Sequence, residues 1–291
     1  MKKYFAEFIG TALFVLFGCG ASVAATALLG AMGLYPAAFS TLAVAAAFGL
    51  GAAVLSLAFG EISGGHLNPV ISLSLWVRGR MKARDALCYV VSQFAGGIAG
   101  AALLMVIIGG RTALGANGYD SLSTFSTSVE IVFLVEALIS FTLVWVVLAV
   151  RKSEEFEPAQ ALYTGLAVFT IYIFAYPFSG ASANPARSLG PAIFQEGSAL
   201  SQVWVFVAAP VAGGLAAALL HKLMTEEIRL KPRRKKEALA AELDQGDDAA
   251  QAVEADADEQ ETQEVQLSHN EEQEEAVQAE EISEGQTREK G

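Results

Sequence analysis

Near-copies of one string occur twice in this chain: Ser-Gly-Gly-His-Leu-Asn-Pro-Val-Ile-Ser-Leu at 63–73 and Ser-Gly-Ala-Ser-Ala-Asn-Pro-Ala-Arg-Ser-Leu at 179–189. Each string is a polar loop that runs into Asn-Pro and then into an apolar stretch. Asn at the N-cap followed by Pro at the first helical position is a strong signal for the start of a helix. A helix of about ten residues is about 15 Å long, roughly half the hydrocarbon core of a bilayer. Two such helices in one apolar chain indicate a pore or a solute site.

Six long apolar segments surround the two strings. The chain has 291 residues, of which 53% are hydrophobic, so most of it is expected to lie in lipid. The first segment is not followed by an A-x-A cleavage site, and we expect it to be a retained helix. The sequence therefore predicts an all-α membrane protein with six transmembrane helices plus two re-entrant half-helices. The six segments lie at 4–29, 38–60, 84–108, 129–150, 159–178 and 200–224.

Basic residues are distributed unevenly between the two predicted faces. The membrane face opposite the two termini holds Arg111 and also Arg187, which lies inside the second string. By the positive-inside rule, both termini are expected to be cytoplasmic, and the chain suits a bacterial plasma membrane. The opposite face holds the run after the last segment and Lys2, Lys3, Arg78, Arg80, Lys82, Arg84, Arg151 and Lys152.

Charge also divides the chain along its length. Residues 237–291 hold 19 of the 31 acids and two bases, 2 − 19 = −17, whereas residues 1–236 hold 17 bases and 12 acids, 17 − 12 = +5. We expect the acidic tail at 237–291 to be a disordered segment or a solvated helix, since it has too little apolar surface for a core. The juxtamembrane basic segment at 229–236 is expected to lie on anionic lipid. The membrane domain is then 1–228.

No pattern of catalytic or metal-ligating residues is present. Cys19 and Cys88 lie in apolar segments and are expected to be small buried hydrophobes. The three histidines form no ligand cluster, and the sequence has no phosphate-binding loop and no nucleic-acid signature. We therefore expect neither an enzyme, nor a cofactor, nor a nucleic-acid partner.

The duplication extends beyond the two strings. Glu7 and Glu136 each precede a hydroxyl residue by four positions, and glycine-rich stretches recur at 94–101 and 211–218. Each half, 1–110 and 125–228, contains three segments and one half-helix, and this odd number of crossings makes the repeat inverted. The half-helices should then meet at the midplane. Glu7 and Glu136 are expected to anchor the irregular loops, because backbone at membrane depth needs partners.

Across 1–228 the chain resembles the aquaporin (major intrinsic protein) family, on Ser63-Gly-Gly-His-Leu-Asn-Pro69 and Asn184-Pro-Ala-Arg-Ser188. In such pores the half-helix N-termini, each carrying about +0.5 charge, repel cations, and the two Asn amides break the proton-conducting chain of waters. The resemblance places Asn68, Pro69, Val70, Asn184, Pro185 and Ala186 at the pore midplane. It places an acceptor ladder of carbonyls at Gly64, Gly65, His66, Gly180, Ala181 and Ser182.

The resemblance also implies an outer selectivity filter of Phe48, Tyr172, Ala181 and Arg187. Phe48 and Arg187 match the pattern of water channels. Tyr172 stands where water channels usually carry His and glycerol facilitators usually carry Gly, so it leaves the glycerol alternative open. Ser188, Ala192 and Phe206 also favour a water channel, whereas Val207 and Val70 depart from the usual residues.

The function implied by this resemblance is a passive water channel that excludes ions and protons and could leak small neutral solutes. The first alternative is a facilitator for glycerol or another small uncharged solute. An alternative of another class is an ion-coupled secondary transporter, which would need carboxylates placed to bind an ion. A scaffolding membrane protein that acts through its acidic tail also remains open. A homotetramer in contact with membrane lipids is implied by the resemblance alone.

Overall fold

The computed structural model describes residues 1–31, 37–111, 113–151 and 156–243. The predicted acidic tail from 244 onward lies outside the described residues. Residues Met1–Thr225 form one compact unit. In the described residues all regular structure is helical: α1 Lys2–Ala31, α2 Ala37–Ser63, α3 Pro69–Val77, α4 Ala83–Ile108, a 3-10 turn Asp120–Leu122, α5 Val129–Val150, α6 Pro158–Ser179, α7 Pro185–Gln195, α8 Gly197–Gln202 and α9 Val205–Leu243.

Six of these helical stretches are long and apolar enough to cross a membrane, which confirms the predicted fold class. The last predicted segment, at 200–224, is not one uninterrupted helix. Its first residues belong to α8, and a turn at Val203 and Trp204 separates them from α9. Both turn residues are apolar, so hydropathy alone carries no sign of this interruption.

Helices α3 and α7 are the two half-helices, and they are too short to cross. They contain nine and eleven residues, about 14 and 16 Å at 1.5 Å per residue. Each begins at the proline of its Asn-Pro pair, as predicted, with the preceding Asn in extended conformation as the N-cap. Helix α3 contacts α7, so the two half-helices meet.

The first glycine of each repeated glycine pair lets two long helices approach closely. A Cβ added at Gly96 in α4 would lie 2.3 Å from the Phe8 carbonyl oxygen of α1. A Cβ at Gly213 in α9 would lie 2.0 Å from the Ala137 carbonyl oxygen of α5. Phe8 and Ala137 directly follow the repeated glutamates, so the same contact is made once in each half.

The second glycine of each pair packs against the half-helix of the other half. A Cβ at Gly97 would lie 2.3 Å from the Ala186 carbonyl oxygen in α7. A Cβ at Gly214 would lie 2.2 Å from Val70 Cγ1 in α3. The side chain of Val70 is therefore packed against α9 at Gly214.

Candidate functional site

Glu7 of α1 lies fully buried beneath the first loop, with 0% of its surface exposed. Its Oε1 accepts hydrogen bonds from Ser63 Oγ at 2.6 Å and from the His66 amide at 2.9 Å. Its Oε2 accepts from the Leu67 amide and from Gln93 Nε2, both at 2.7 Å. Four donors thus converge on one carboxylate and fix the loop that leads into α3.

Glu136 of α5 makes the equivalent contacts in the second half. Its Oε1 accepts from Ser179 Oγ at 2.7 Å and from the Ser182 amide at 3.0 Å, and its Oε2 accepts from the Ala183 amide at 2.9 Å. Leu67 and Ala183 have φ angles of 51° and 50°, a left-handed conformation that costs energy for residues with a side chain. The glutamates bond the amides of these two residues and so hold the loops in that conformation.

The two capping asparagines bond across the centre of the molecule. Asn68 Nδ2 donates to the Ala183 carbonyl at 2.8 Å, and Asn184 Nδ2 donates to the Leu67 carbonyl at 2.9 Å. Each Oδ1 meanwhile accepts from the first turn of its own half-helix. A carboxamide has two N–H groups, so each asparagine keeps one further donor for a molecule between the half-helices.

A narrow cavity of about 20 Å³ lies beside the two asparagines. A cavity of about 10–15 Å³ on this measure accommodates one water molecule, so there is room for about one. Its walls combine apolar side chains with polar ones, including Ser56, His66, Asn68, Tyr172 and Asn184. The neighbouring helix residues Pro69, Val70, Pro185 and Ala186 are buried behind these walls.

The carbonyls of the predicted acceptor ladder are in part occupied by protein donors. Arg151 Nη2 donates to the Gly64 carbonyl at 2.6 Å, and Ser56 Oγ donates to the Gly65 carbonyl at 2.9 Å. A carbonyl oxygen has two lone pairs, so each of these can accept a second hydrogen bond. In the second loop the Gly180 and Ser182 carbonyls accept from Arg187 Nη2 at 3.4 Å and from Tyr172 Oη at 3.0 Å.

The four residues of the expected outer filter are all buried, and three of them are brought into contact. The rings of Phe48 and Tyr172 have centroids 4.6 Å apart, and the Arg187 guanidinium lies over the Phe48 ring at 4.8 Å. Arg187 Nη1 donates to the Gly115 carbonyl at 2.9 Å. Ala181, the fourth of these residues, lies in the second loop with a φ angle of 46°.

The loop between α4 and α5 contributes to the site, which the sequence did not reveal. Besides the Gly115 carbonyl, it supplies the buried Asn117, whose Oδ1 accepts from Ser188 Oγ at 2.8 Å and whose Nδ2 donates to the Ser179 carbonyl at 3.2 Å. Asn117 stands in a polar loop with no repeat or motif around it. Phe206, one of the residues favouring a water channel, packs instead with Val132 and its own neighbours in a separate apolar cluster.

A wide cavity of about 790 Å³ opens on the face where α1 begins, and we call it the N-terminal mouth. Arg151, which follows α5, lies in its wall with 9% of its surface exposed. Burial lowers the pKa of Arg151 to about 10, so the side chain stays positive at neutral pH. Sequence reasoning assigned Arg151 only to a basic face. Further lining residues are Lys3, Gly64, His66, Arg80 and Tyr89.

Comparisons with known proteins agree with this architecture. The family described as Major intrinsic protein matches residues 1–221. The chain is 34% identical to Aquaporin Z of Bradyrhizobium diazoefficiens over 233 residues, 78% of this chain and 95% of that protein. It is 35% identical to Glycerol uptake facilitator protein-like 6 of Lactiplantibacillus plantarum over 232 residues, 78% of this chain and 100% of that protein. The X-ray structure of the aquaglyceroporin from Plasmodium falciparum is similar in fold, with a TM-score of 0.65 at 21% identity over 76% of this chain and 95% of that one.

Proposed function

The chain belongs to the major intrinsic protein family of membrane channels, and from this premise we propose that it is a passive water channel that excludes ions and protons. The pairing of the two asparagines at the centre of the molecule carries this proposal. Each amide is held by its own half-helix and by the opposite loop, so the remaining N–H groups have fixed directions. A water that accepts from both cannot accept a proton from its neighbours in the file, which interrupts proton transfer along it.

The size of the central cavity favours water over larger solutes. About 20 Å³ accommodates about one water molecule but not a three-carbon polyol. The polar groups on the walls replace the hydrogen bonds that a water loses on entering, and the apolar groups between them bind nothing strongly. Water can therefore pass in single file without being trapped.

The outer filter supports the same proposal. Phe48 and Tyr172 narrow the opening, and the buried Arg187 places a fixed positive charge there. A cation would have to lose its hydration beside that charge, which is costly in surroundings of low dielectric constant. A neutral water meets no such cost.

Glycerol or another small uncharged solute is the second candidate. One relative carries a glycerol facilitator's name, and Ala181 contributes only a methyl group at a position where the resemblance places the filter. An ion-coupled transporter is less well supported, because Glu7 and Glu136 are both occupied by loop donors. A carboxylate that accepts from the loop backbone on both oxygens is better suited to holding the loop than to releasing a coupled ion.

Side-by-side permeability measurements test the proposal. Proteoliposomes holding the purified chain are mixed with an osmotically active solute in a stopped-flow instrument, and the rates for water, glycerol and lactic acid are compared. We expect fast water flux with a low activation energy and little flux of the other two. Glycerol flux comparable to water flux would instead assign the chain as a solute facilitator.

We further propose that the chain lies in the cell membrane with both termini in the cytoplasm. The N-terminal mouth carries Lys3, Arg80, Lys82 and Arg151, which is the excess of positive charge expected of a cytoplasmic face.

Large apolar side chains are exposed along the spans, where lipid or other subunits would cover them. Assembly into a homotetramer is proposed on family membership.

A further inference from the structure

The repeat relates each residue of the first loop to one in the second by a constant offset. Asn68 corresponds to Asn184, and 184 − 68 = 116. With the same offset, Gly64 corresponds to Gly180, since 180 − 64 = 116. These two glycines also share a left-handed conformation, with φ angles of 85° and 74°.

An arginine donates to the carbonyl of each of these corresponding glycines. Arg187 Nη2 donates to Gly180 at 3.4 Å, and Arg151 Nη2 donates to Gly64 at 2.6 Å. Both side chains are at least nine-tenths buried, and in the described part of the chain the Nε of each has no hydrogen-bond partner. Each of the two loops therefore has an arginine guanidinium bonded to the carbonyl of its corresponding glycine.

The two arginines do not derive from the repeat itself. Arg187 lies in the first turn of α7, and the corresponding residue of α3 is the apolar Ile71, since 187 − 116 = 71. Arg151 instead reaches the Gly64 carbonyl from the end of α5. The equivalent contact in the first half is therefore made from a different element. A contact copied by the duplication would instead come from the corresponding residue of α3.

The backbone of Arg151 is held in place, and the residue lines the N-terminal mouth. Arg80 Nη1 donates to the carbonyls of Arg151 and, at 3.2 Å, of Leu148. A Cβ placed on Gly64 would lie 3.3 Å from Arg151 Nη1 and 3.1 Å from His66 Nε2, so these two side chains lie next to each other at Gly64, and all three residues line the N-terminal mouth. His66 also lines the central cavity, so this residue borders both cavities.

We propose that Arg151 is a second selectivity residue, which excludes cations, hydronium included, at the N-terminal mouth as Arg187 does at the opposite one. This inference rests on the proposed water-channel function. The competing explanation is that Arg151 only holds the loop through its bond to Gly64. Under that explanation a neutral donor of similar reach would serve as well.

The test separates charge from hydrogen bonding in a sensitised background. While one arginine still blocks protons, the effect of losing the other on the proton leak is hidden. The substitutions Arg151→Gln and Arg151→Lys are therefore each combined with Arg187→Ala. Proton leak is followed with an internal pH-sensitive dye while a potassium gradient with valinomycin sets the voltage. Water flux is measured on the same vesicles, and Arg84→Gln, which removes an exposed charge from the same face, is the matched control.

We expect Arg151→Gln to raise the proton leak of the Arg187→Ala protein by roughly tenfold or more, since a fixed unit charge near the path acts with several times the thermal energy. Arg151→Lys and the Arg84→Gln control should leave that leak unchanged when it is expressed relative to the water flux of the same vesicles. Equal leaks for the Gln and Lys variants, whether both low or both high, would overturn the proposal. Absence of water flux in the wild-type protein would instead reject the proposed function, and this water flux is measured separately from the proton leak of the variants.

Discussion

The hydroxyl of Tyr172 gives the sharpest prediction about the outer filter. It donates to the Ser182 carbonyl at 3.0 Å, so it occupies an acceptor beside the path that a water would otherwise use. The substitution Tyr172→Phe removes this hydrogen bond and keeps the ring against Phe48. A neutral hydrogen bond contributes about 0.5–1.5 kcal/mol net. If water must displace the hydroxyl to pass, the barrier falls by that amount and water flux rises about two- to twelvefold.

The assay is stopped-flow shrinkage of proteoliposomes at matched protein density, repeated over a range of temperatures. Tyr176→Phe is the matched control, because its hydroxyl bonds Ser22 Oγ at 2.9 Å, one helical turn further along α6. We expect faster flux and a lower activation energy for Tyr172→Phe and no change for Tyr176→Phe. Unchanged or slower flux in Tyr172→Phe would refute the reasoning that this hydroxyl competes with water.

Four further predictions concern the filter, the loops and the packing. Arg187→Ala should admit larger solutes or protons, measured as solute and proton flux; unchanged selectivity would place the filter elsewhere. Tyr172→Gly should raise glycerol flux, and no change would mean that Tyr172 does not line the filter. Glu136→Leu leaves two buried amides without an acceptor, which costs about 1–3 kcal/mol for each amide, or about 2–6 kcal/mol together. This substitution should therefore lower the unfolding temperature in detergent far more than Glu136→Gln does. Gly214→Val should lower the unfolding temperature in detergent, since even a Cβ would lie 2.2 Å from Val70 Cγ1 and overpacking a core costs about 1–3 kcal/mol; an unchanged unfolding temperature would contradict this packing.

The fold could be predicted because its determinants are local. The length of each apolar segment predicts the six spans, and Asn followed by Pro predicts the start of each half-helix at Pro69 and Pro185. The turn at Val203 and Trp204 was missed, because these residues are as apolar as a continuous helix would be. Sequence patterns report the length of a helix better than a short break within it.

The two asparagines at the centre of the site were predictable because the repeat marks them. The strings around Asn68 and Asn184 are duplicated, so both were found. Asn117 and Arg151 were not assigned to the site, because each reaches it from a connecting segment with no counterpart in the other half. Their contacts depend on where the loops fold back, and neither spacing nor composition encodes that.

The water and proton permeabilities of the wild-type protein, measured on one vesicle preparation, test the central claim most directly. Asn68 and Asn184, each bonded to a carbonyl of the opposite loop, predict fast water flux with a low activation energy and a proton leak no greater than that of empty vesicles. Proton leak that rises in proportion to protein density, or water flux as slow and as temperature-dependent as that of bare lipid, would contradict it.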